Sequence, residues 1–172
     1  MASFTQRMIG AATLDVPTYE EVEHDTTATG QAAGVVGIVA VASAIGAIGA
    51  GGAEMAGGVV SAFVGWLIWS AVTLVIGTKV FDGTADMGEM LRTLGFAQAP
   101  GVLNVLGFIP VLGWIVRLAV GIWMLVCGVI AVRQALDFTT GKAIGTVLLG
   151  WLCYFVVAAL IAGLFGGLGM FS

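Results

Sequence analysis

Charge is scarce in this chain. Asp, Glu, Lys and Arg make up 9% of its 172 residues, against 59% hydrophobic, and the mean hydropathy is +1.08. A soluble domain carries roughly 25% charged residues, and one of this size still leaves much of its area in water. So apolar a chain belongs in a lipid bilayer. Basic residues are the rarer sign: six Lys and Arg against ten Asp and Glu give a net charge of −4, which excludes nucleic acid as a partner. No polybasic cluster is present to hold anionic head groups. Proline occurs three times, and the 27 glycines follow no three-residue period, which excludes collagen.

Residues that carry chemistry are equally thin. His24 is the single histidine. Glu20, four residues before it, shares its helix face, but without a second nitrogen or a thiolate the pair makes a poor transition-metal site. It reads as an acidic helix end. Cys127 and Cys153 fall in different spans, about 10 and 16 Å from the cytoplasmic edge at ~1.5 Å per residue. A disulfide requires Cα atoms within about 7 Å, so both read as buried small hydrophobes. There is no Gly-Lys phosphate loop, no nucleophile elbow and no zinc-ligand spacing. "GVVGIVA" and "GAIGAGG" lack the strand-turn-helix context of a dinucleotide loop. The sequence therefore predicts no catalytic residue, no metal site and no cofactor.

What is present is organised by membrane crossings. Residues 1–29 form a cytoplasmic amino-terminal segment, amphipathic and then acidic, and 30–172 form the membrane domain. Phe4, Met8, Ile9 and Ala12 recur near helical spacing with Gln6 and Arg7 elsewhere on the wheel, predicting a short interfacial helix. Asp15 before Pro17, with Glu20, Glu21 and Glu23 behind, is a helix start. The segment lacks the apolar core of a cleavable signal peptide, and its retention is expected. Spans are predicted over about Gly30–Gly52, Gly58–Val80, Trp114–Leu136 and Ala143–Phe165, each meeting the roughly 20 residues a crossing needs. Between the second and third crossings, Met87, Met90, Leu91, Leu94 and Phe96 alternate with Asp86, Glu89 and Arg92. That pattern predicts an amphipathic helix on the membrane surface. No internal repeat and no separate soluble domain are found.

The stretch "GFAQAPGVLNVLGFIPVLGW" is apolar but interrupted. Pro100 disfavours helix at Ala99 and can begin a new helix as a first-turn residue; Pro110 and Gly113 then mark a turn. The interval between the prolines covers about 14 Å at ~1.5 Å per residue, half of a bilayer core of about 30 Å. Counted as a third crossing, it places Arg7, Lys79, Arg92, Arg133 and Lys142 on one side, with Glu54 and an uncharged carboxyl tail on the other. The positive-inside rule makes the first side cytoplasmic. The expected fold is thus all-α: a five-helix transmembrane bundle with a short, proline-bounded third crossing and a surface helix before it. The amino terminus is expected in the cytoplasm and the carboxyl terminus outside.

The run "LRTLGFAQAPGVLNVLGFIPVLGWIVRLAVGIWMLVCGVIAVRQALDFTTGKAI" resembles the Yip1 domain family. Leu91, Gly95, Pro100, Pro110, Gly113, Trp123, Ala131, Arg133, Ala135 and Lys142 carry the likeness, which extends over about the last 115 residues and the first span. In the bacterial branch these positions read as a "lGya-aP" element, an "iP-lG" turn and a "W-l-v-glr-a" helix. The motif is one of packing rather than chemistry. The resemblance implies a multi-pass membrane protein without catalytic residues. Eukaryotic members associate with Rab GTPases and one another through a long cytosolic amino-terminal region. Here that region is about thirty residues, which leaves small-GTPase binding without its usual platform. The Ala/Gly-rich composition points to a bacterial plasma membrane.

Several residues stand out within the spans. Arg117 lies about one turn from Trp114, within snorkelling reach of the interface, and Glu54 is the acidic residue on its side. Gln98 and Asn104 either hydrogen-bond between helices or line a polar cavity as in broken transporter helices. The pairs Gly30/Gly34, Ser43/Ala47, Gly46/Ala50, Ser61/Gly65 and Gly163/Gly167 permit close approach of backbones, mostly within one bundle. Two functions follow as expectations. One is a non-enzymatic membrane protein acting by helix packing in the lipid bilayer, as a homo-oligomer or beside another membrane protein. The other is a small transporter or channel built around Arg117 and the broken crossing.

Overall fold

The computed structural model describes residues 2–47, 54–109 and 112–169, and every regular element among them is helical. In chain order these are α1 (Phe4–Ala12), α2 (Val16–His24), α3 (Ala28–Gly46), α4 (Glu54–Val80), α5 (Met87–Phe96), a 3₁₀ helix (Ala99–Phe108), α6 (Leu112–Ala135) and α7 (Thr140–Gly169). Pro110 and the side chain of Glu54 lie outside the described residues, so neither the outer proline turn nor a Glu54–Arg117 pair is described.

Short polar signals start the short helices. Ser3 and Gln6 cap α1 reciprocally, and Asp86 and Glu89 do the same for α5, each pair satisfying donors that a helix start leaves free. Asp15 accepts from the Thr18 backbone N–H at the start of α2, with Pro17 in its first turn. Leu14, Asp82 and Asp137 adopt positive φ of 65°, 59° and 53° just beyond α1, α4 and α6, the left-handed residue that ends many helices. The long helices are apolar on all sides instead. Ala28–Gly46, Gly57–Val80 and Leu112–Ala135, of 19, 24 and 24 residues, contain 18-residue stretches with mean hydropathies of 1.7, 2.2 and 2.4. At ~1.5 Å per residue each reaches about the 30 Å of a bilayer core, so all three are long and apolar enough to cross a membrane.

The contacts give the directions of the remaining segments. A Cβ placed on Gly95 would press on Ala32, one on Gly101 on Val39, and one on Gly46 on the Asn104 carbonyl. As the chain advances from Gly95 to Asn104 it therefore ascends α3 from Ala32 to Gly46, parallel to it. It descends α4, since Trp66 Nε1 donates to the Leu91 carbonyl while Ala62 faces Gln98 across a cavity. The same stretch runs antiparallel to α6, with Met124 beside Gly101 and Arg117 beside Gly107. The end of α5 and the 3₁₀ helix thus form one rod that packs on α3 and α6 along its length and on α4 at its α5 end.

Three expectations need correction. The first apolar helix begins at Ala28 and ends at Gly46, capped at Ala47, earlier than the hydropathy alone placed it. The helix expected on the membrane surface, α5, is inside: Met90, Thr93, Leu94, Gly95 and Phe96 are buried, and so is Arg92 at 5% exposure. Its amphipathic pattern is real, with Asp86 exposed and Glu89 half-buried at its start, but Arg92 turns into the protein. The amino-terminal segment is likewise no appendage. Ala11, Tyr19 and Val22 belong to the same core as Ala32, Phe96 and Ala131.

Candidate functional site

Two polar places interrupt this apolar bundle. The first joins the amino-terminal helices to the rest. Arg7, expected on the wet side of α1, is 1% exposed. Its Nη2 donates to Glu21 at 2.8 Å and Asp25 at 2.6 Å, and its Nη1 to Gln31 at 3.1 Å. Desolvation pulls the Arg7 pKa down, but the hydrogen bonds to Glu21 and Asp25 outweigh it and raise it. Glu21 is held below the ordinary carboxylate value chiefly by Arg7. Asp25 falls to about 2, through the Thr27 hydroxyl first and Arg7 second. Glu23 moves the opposite way. It is 7% exposed, and burial pushes its pKa up to about 7 against the pull of His24.

Arg92 completes this cluster from α5. Its guanidinium donates to the carbonyls of Val22 and Glu23, placing a cation where the last turn of α2 leaves acceptors free. His24 and Glu20 are occupied separately. The His24 ring meets the Glu20 backbone oxygen at 2.9 Å, so Nδ1 carries the proton, and the Glu20 carboxylate accepts from Gln134 Nε2. Donation to that carbonyl, which the charged ring keeps, raises the His24 pKa. Among the described residues no group of three or more His, Cys, Asp or Glu side chains gathers as metal ligands would. The buried Tyr19 hydroxyl donates to the Ala11 carbonyl at 3.0 Å, with its pKa raised by desolvation. Trp123 Nε1 donates to Ala12 at 2.8 Å, tying α6 to α1.

The second polar place is the seam of α3, the 3₁₀ helix and α6. Asn104 Nδ2 donates to Ser43 Oγ at 3.3 Å. Arg117 Nη2 donates to the Gly46 carbonyl at 2.9 Å and more distantly to Gly107 at 3.5 Å. A Cβ on Gly46 or Gly113 would strike a backbone carbonyl, of Asn104 and Gly107 respectively. Glycine at these positions is what lets the three backbones touch. Spacing alone picked other residues as well. A Cβ on Gly30 or Gly65 would meet nothing within 4 Å, and one on Gly34 only the Phe4 ring. Ser61 and Gly65 border a cavity instead of a neighbouring helix. Gly163 and Gly167 lie in α7 beyond the part whose surroundings are described.

Arg7, Arg92, Trp66 and Trp123 escaped sequence reasoning as contact residues. For Arg7 and Arg92 a signal existed: a lone arginine within an apolar periodicity, near several acids, is as consistent with an internal pair as with a wet face. The indole contacts carried none, because their acceptors are main-chain atoms remote in sequence.

Cys127 is buried and Cys153 exposed, and neither forms a disulfide.

Apolar helices of spanning length, glycine-to-backbone seams and basic side chains gathered around α2 define an all-helical integral membrane protein. The family model of the Yip1 domain matches residues 17–162, and the chain belongs to the Yip1 domain family. Searches of curated proteins and of solved structures returned no match.

Proposed function

We propose that this chain is a non-enzymatic membrane protein with five crossings that works by helix packing, against a second copy of itself or another membrane complex. The observation carrying this reading is the seam of α3, the 3₁₀ helix and α6, closed by backbone contact at Gly46 and Gly113, beside cavities with an uncharged lining. No Asp, Glu, Lys or Arg lines either cavity in the spanning region, and Arg117 is engaged by main-chain carbonyls. The outward faces stay apolar, with Ile68, Val75, Trp114, Leu118, Ile122 and Leu152 exposed. The rod of α5 and the 3₁₀ helix supports the third crossing, because it ascends beside α3 to Gly46. Basic residues support the orientation: Arg7 and Arg92 contact α2 residues, and Lys142 donates to Phe81 just past α4. That end is assigned to the cytoplasm, and the membrane to the plasma membrane of a bacterium.

Transport around Arg117 and the broken crossing is the alternative, and it draws on Gln98 and Asn104 beside the cavities. Isolation of the native complex in mild detergent separates the two readings. A particle heavier than one chain, of defined mass and companions, is expected. A lone chain that supports a solute flux after reconstitution would overturn the packing reading.

A further inference from the structure

The bundle is left open between α4 and α6. Both helices pack on α5 and α7, yet they barely touch each other. On the walls of this gap, a Cβ on Gly65, Gly121 or Gly128 would meet nothing within 4 Å. The gap is a cavity of about 400 Å³, bordered by Trp66, Trp69 and Trp151 with Leu94, Ala97 and Gln98 from the α5 rod. A second cavity of about 400 Å³ lies toward α3, beside Ser43 and Asn104. Ala62, Gln98 and Met124 border both. Their combined size falls within the roughly 300–1,000 Å³ of ligand sites, which pair apolar walls with a few polar groups.

Gln98 is the polar group at the junction. It shares both cavities with Met124, which stands 12 residues from Leu112 and 11 from Ala135, at the middle of α6. Its side-chain amide has no hydrogen-bond partner among the described residues. Without water at that depth, an unpaired amide is costly. We propose that the joined cavities bind a neutral, single-tailed lipid, its carbonyl or hydroxyl head bonded to Gln98 and its tail in the tryptophan-bordered slot. The uncharged lining excludes an ionic head. A phospholipid is excluded by depth, since its ester groups stay about 15 Å away at the interface of a ~30 Å core. The depth assigned to Gln98 rests on the five-crossing reading, whereas the binding measurement does not.

The test uses the full chain in mild detergent, with a decyl-substituted benzoquinone as the carbonyl probe, dodecanol as the hydroxyl competitor and tryptophan fluorescence as the readout. Quenching should saturate at one quinone per chain and be reversed by dodecanol. Gln98→Leu should weaken the site at least tenfold, and Gly121→Phe should abolish it by filling the slot. Circular dichroism and particle mass should stay unchanged in both. Gly65→Phe, from the opposite wall, replaces Gly121→Phe if that variant misfolds. Quenching that does not saturate, or that is equal in all variants, overturns the proposal. Loss with Gly121→Phe but not with Gln98→Leu overturns the head contact. Quenching by a phosphatidylcholine with brominated chains that neither probe displaces assigns the slot to phospholipid. A fall in particle mass with Gly121→Phe assigns it to a second copy.

Discussion

Glu23 and Asp25 stand two residues apart on opposite sides of one thermodynamic question. Burial raises Glu23 from an ordinary 4.5 to about 7, so the folded state binds its proton more tightly than the unfolded state. Stability is therefore present below 4.5 and lost as pH rises toward 7. Asp25 and Glu21 have depressed values, and their contribution exists above the ordinary 3.8 and 4.5 and is lost on acidification. The amino-terminal unit should be most stable near the lower edge of the Glu23 window. Hydrogen exchange of the α1 and α2 amides against pH should show protection falling from 4.5 to 7 in the native chain. Glu23→Gln should flatten that slope and leave the acid limb in place. A separate expectation concerns Arg117. Replacement by Leu leaves the Gly46 carbonyl without that donor, which costs about 1 kcal/mol. Replacement by Glu sets a carboxylate against two carbonyl oxygens and should destabilise more. Thermal unfolding of both variants in detergent checks the order, and equal melting points would contradict it.

Among the helices, contact and not spacing decides which glycines matter. Gly46→Ala drives a methyl group into the Asn104 carbonyl, on a backbone that cannot rotate aside, and overpacking of this kind costs about 1–3 kcal/mol. Gly30→Ala enters open space within a helix, where alanine is favoured over glycine by roughly 0.5–1 kcal/mol. The two substitutions lie in the same helix, α3, and should shift the melting temperature in opposite directions. If both lower it alike, the close approach of α3 to the 3₁₀ helix is not what holds the seam. The α5 helix teaches a related point. Its Arg92 bonds to carbonyls at the end of α2, and Met90, Leu94 and Phe96 are buried, so it contributes to the bundle core.

For the whole molecule the decisive quantity is the number of crossings. Five of them, as proposed, would place the loop between α6 and α7 in the cytoplasm. Thr140→Cys, in a chain lacking Cys127 and Cys153, should then react with an impermeant thiol reagent only after the cytoplasmic face is opened. Reaction from outside in intact cells would remove the third crossing and reverse α7. The same result would undo the orientation drawn from the Lys and Arg positions.

Membrane residence, helical class and the approximate positions of the long apolar helices were legible in residues 1–172. Hydropathy acts locally, and its consequences need no knowledge of distant neighbours. The Yip1 likeness was legible for a similar reason, since its motif marks turns and close-packed positions along the chain. Tertiary structure alone decided the rest. That Arg7 turns inward follows from Glu21, Asp25 and Gln31 converging on it from two other helices. That Gly46 and Gly113 are seams while Gly30 and Gly65 are not depends on which backbone lies opposite. A four-residue spacing gives a helix a small-residue face, but it does not say what that face meets. Only the packed arrangement of α3, the 3₁₀ helix and α6 answers that, because close approach is a property of pairs and each helix carries only half of it.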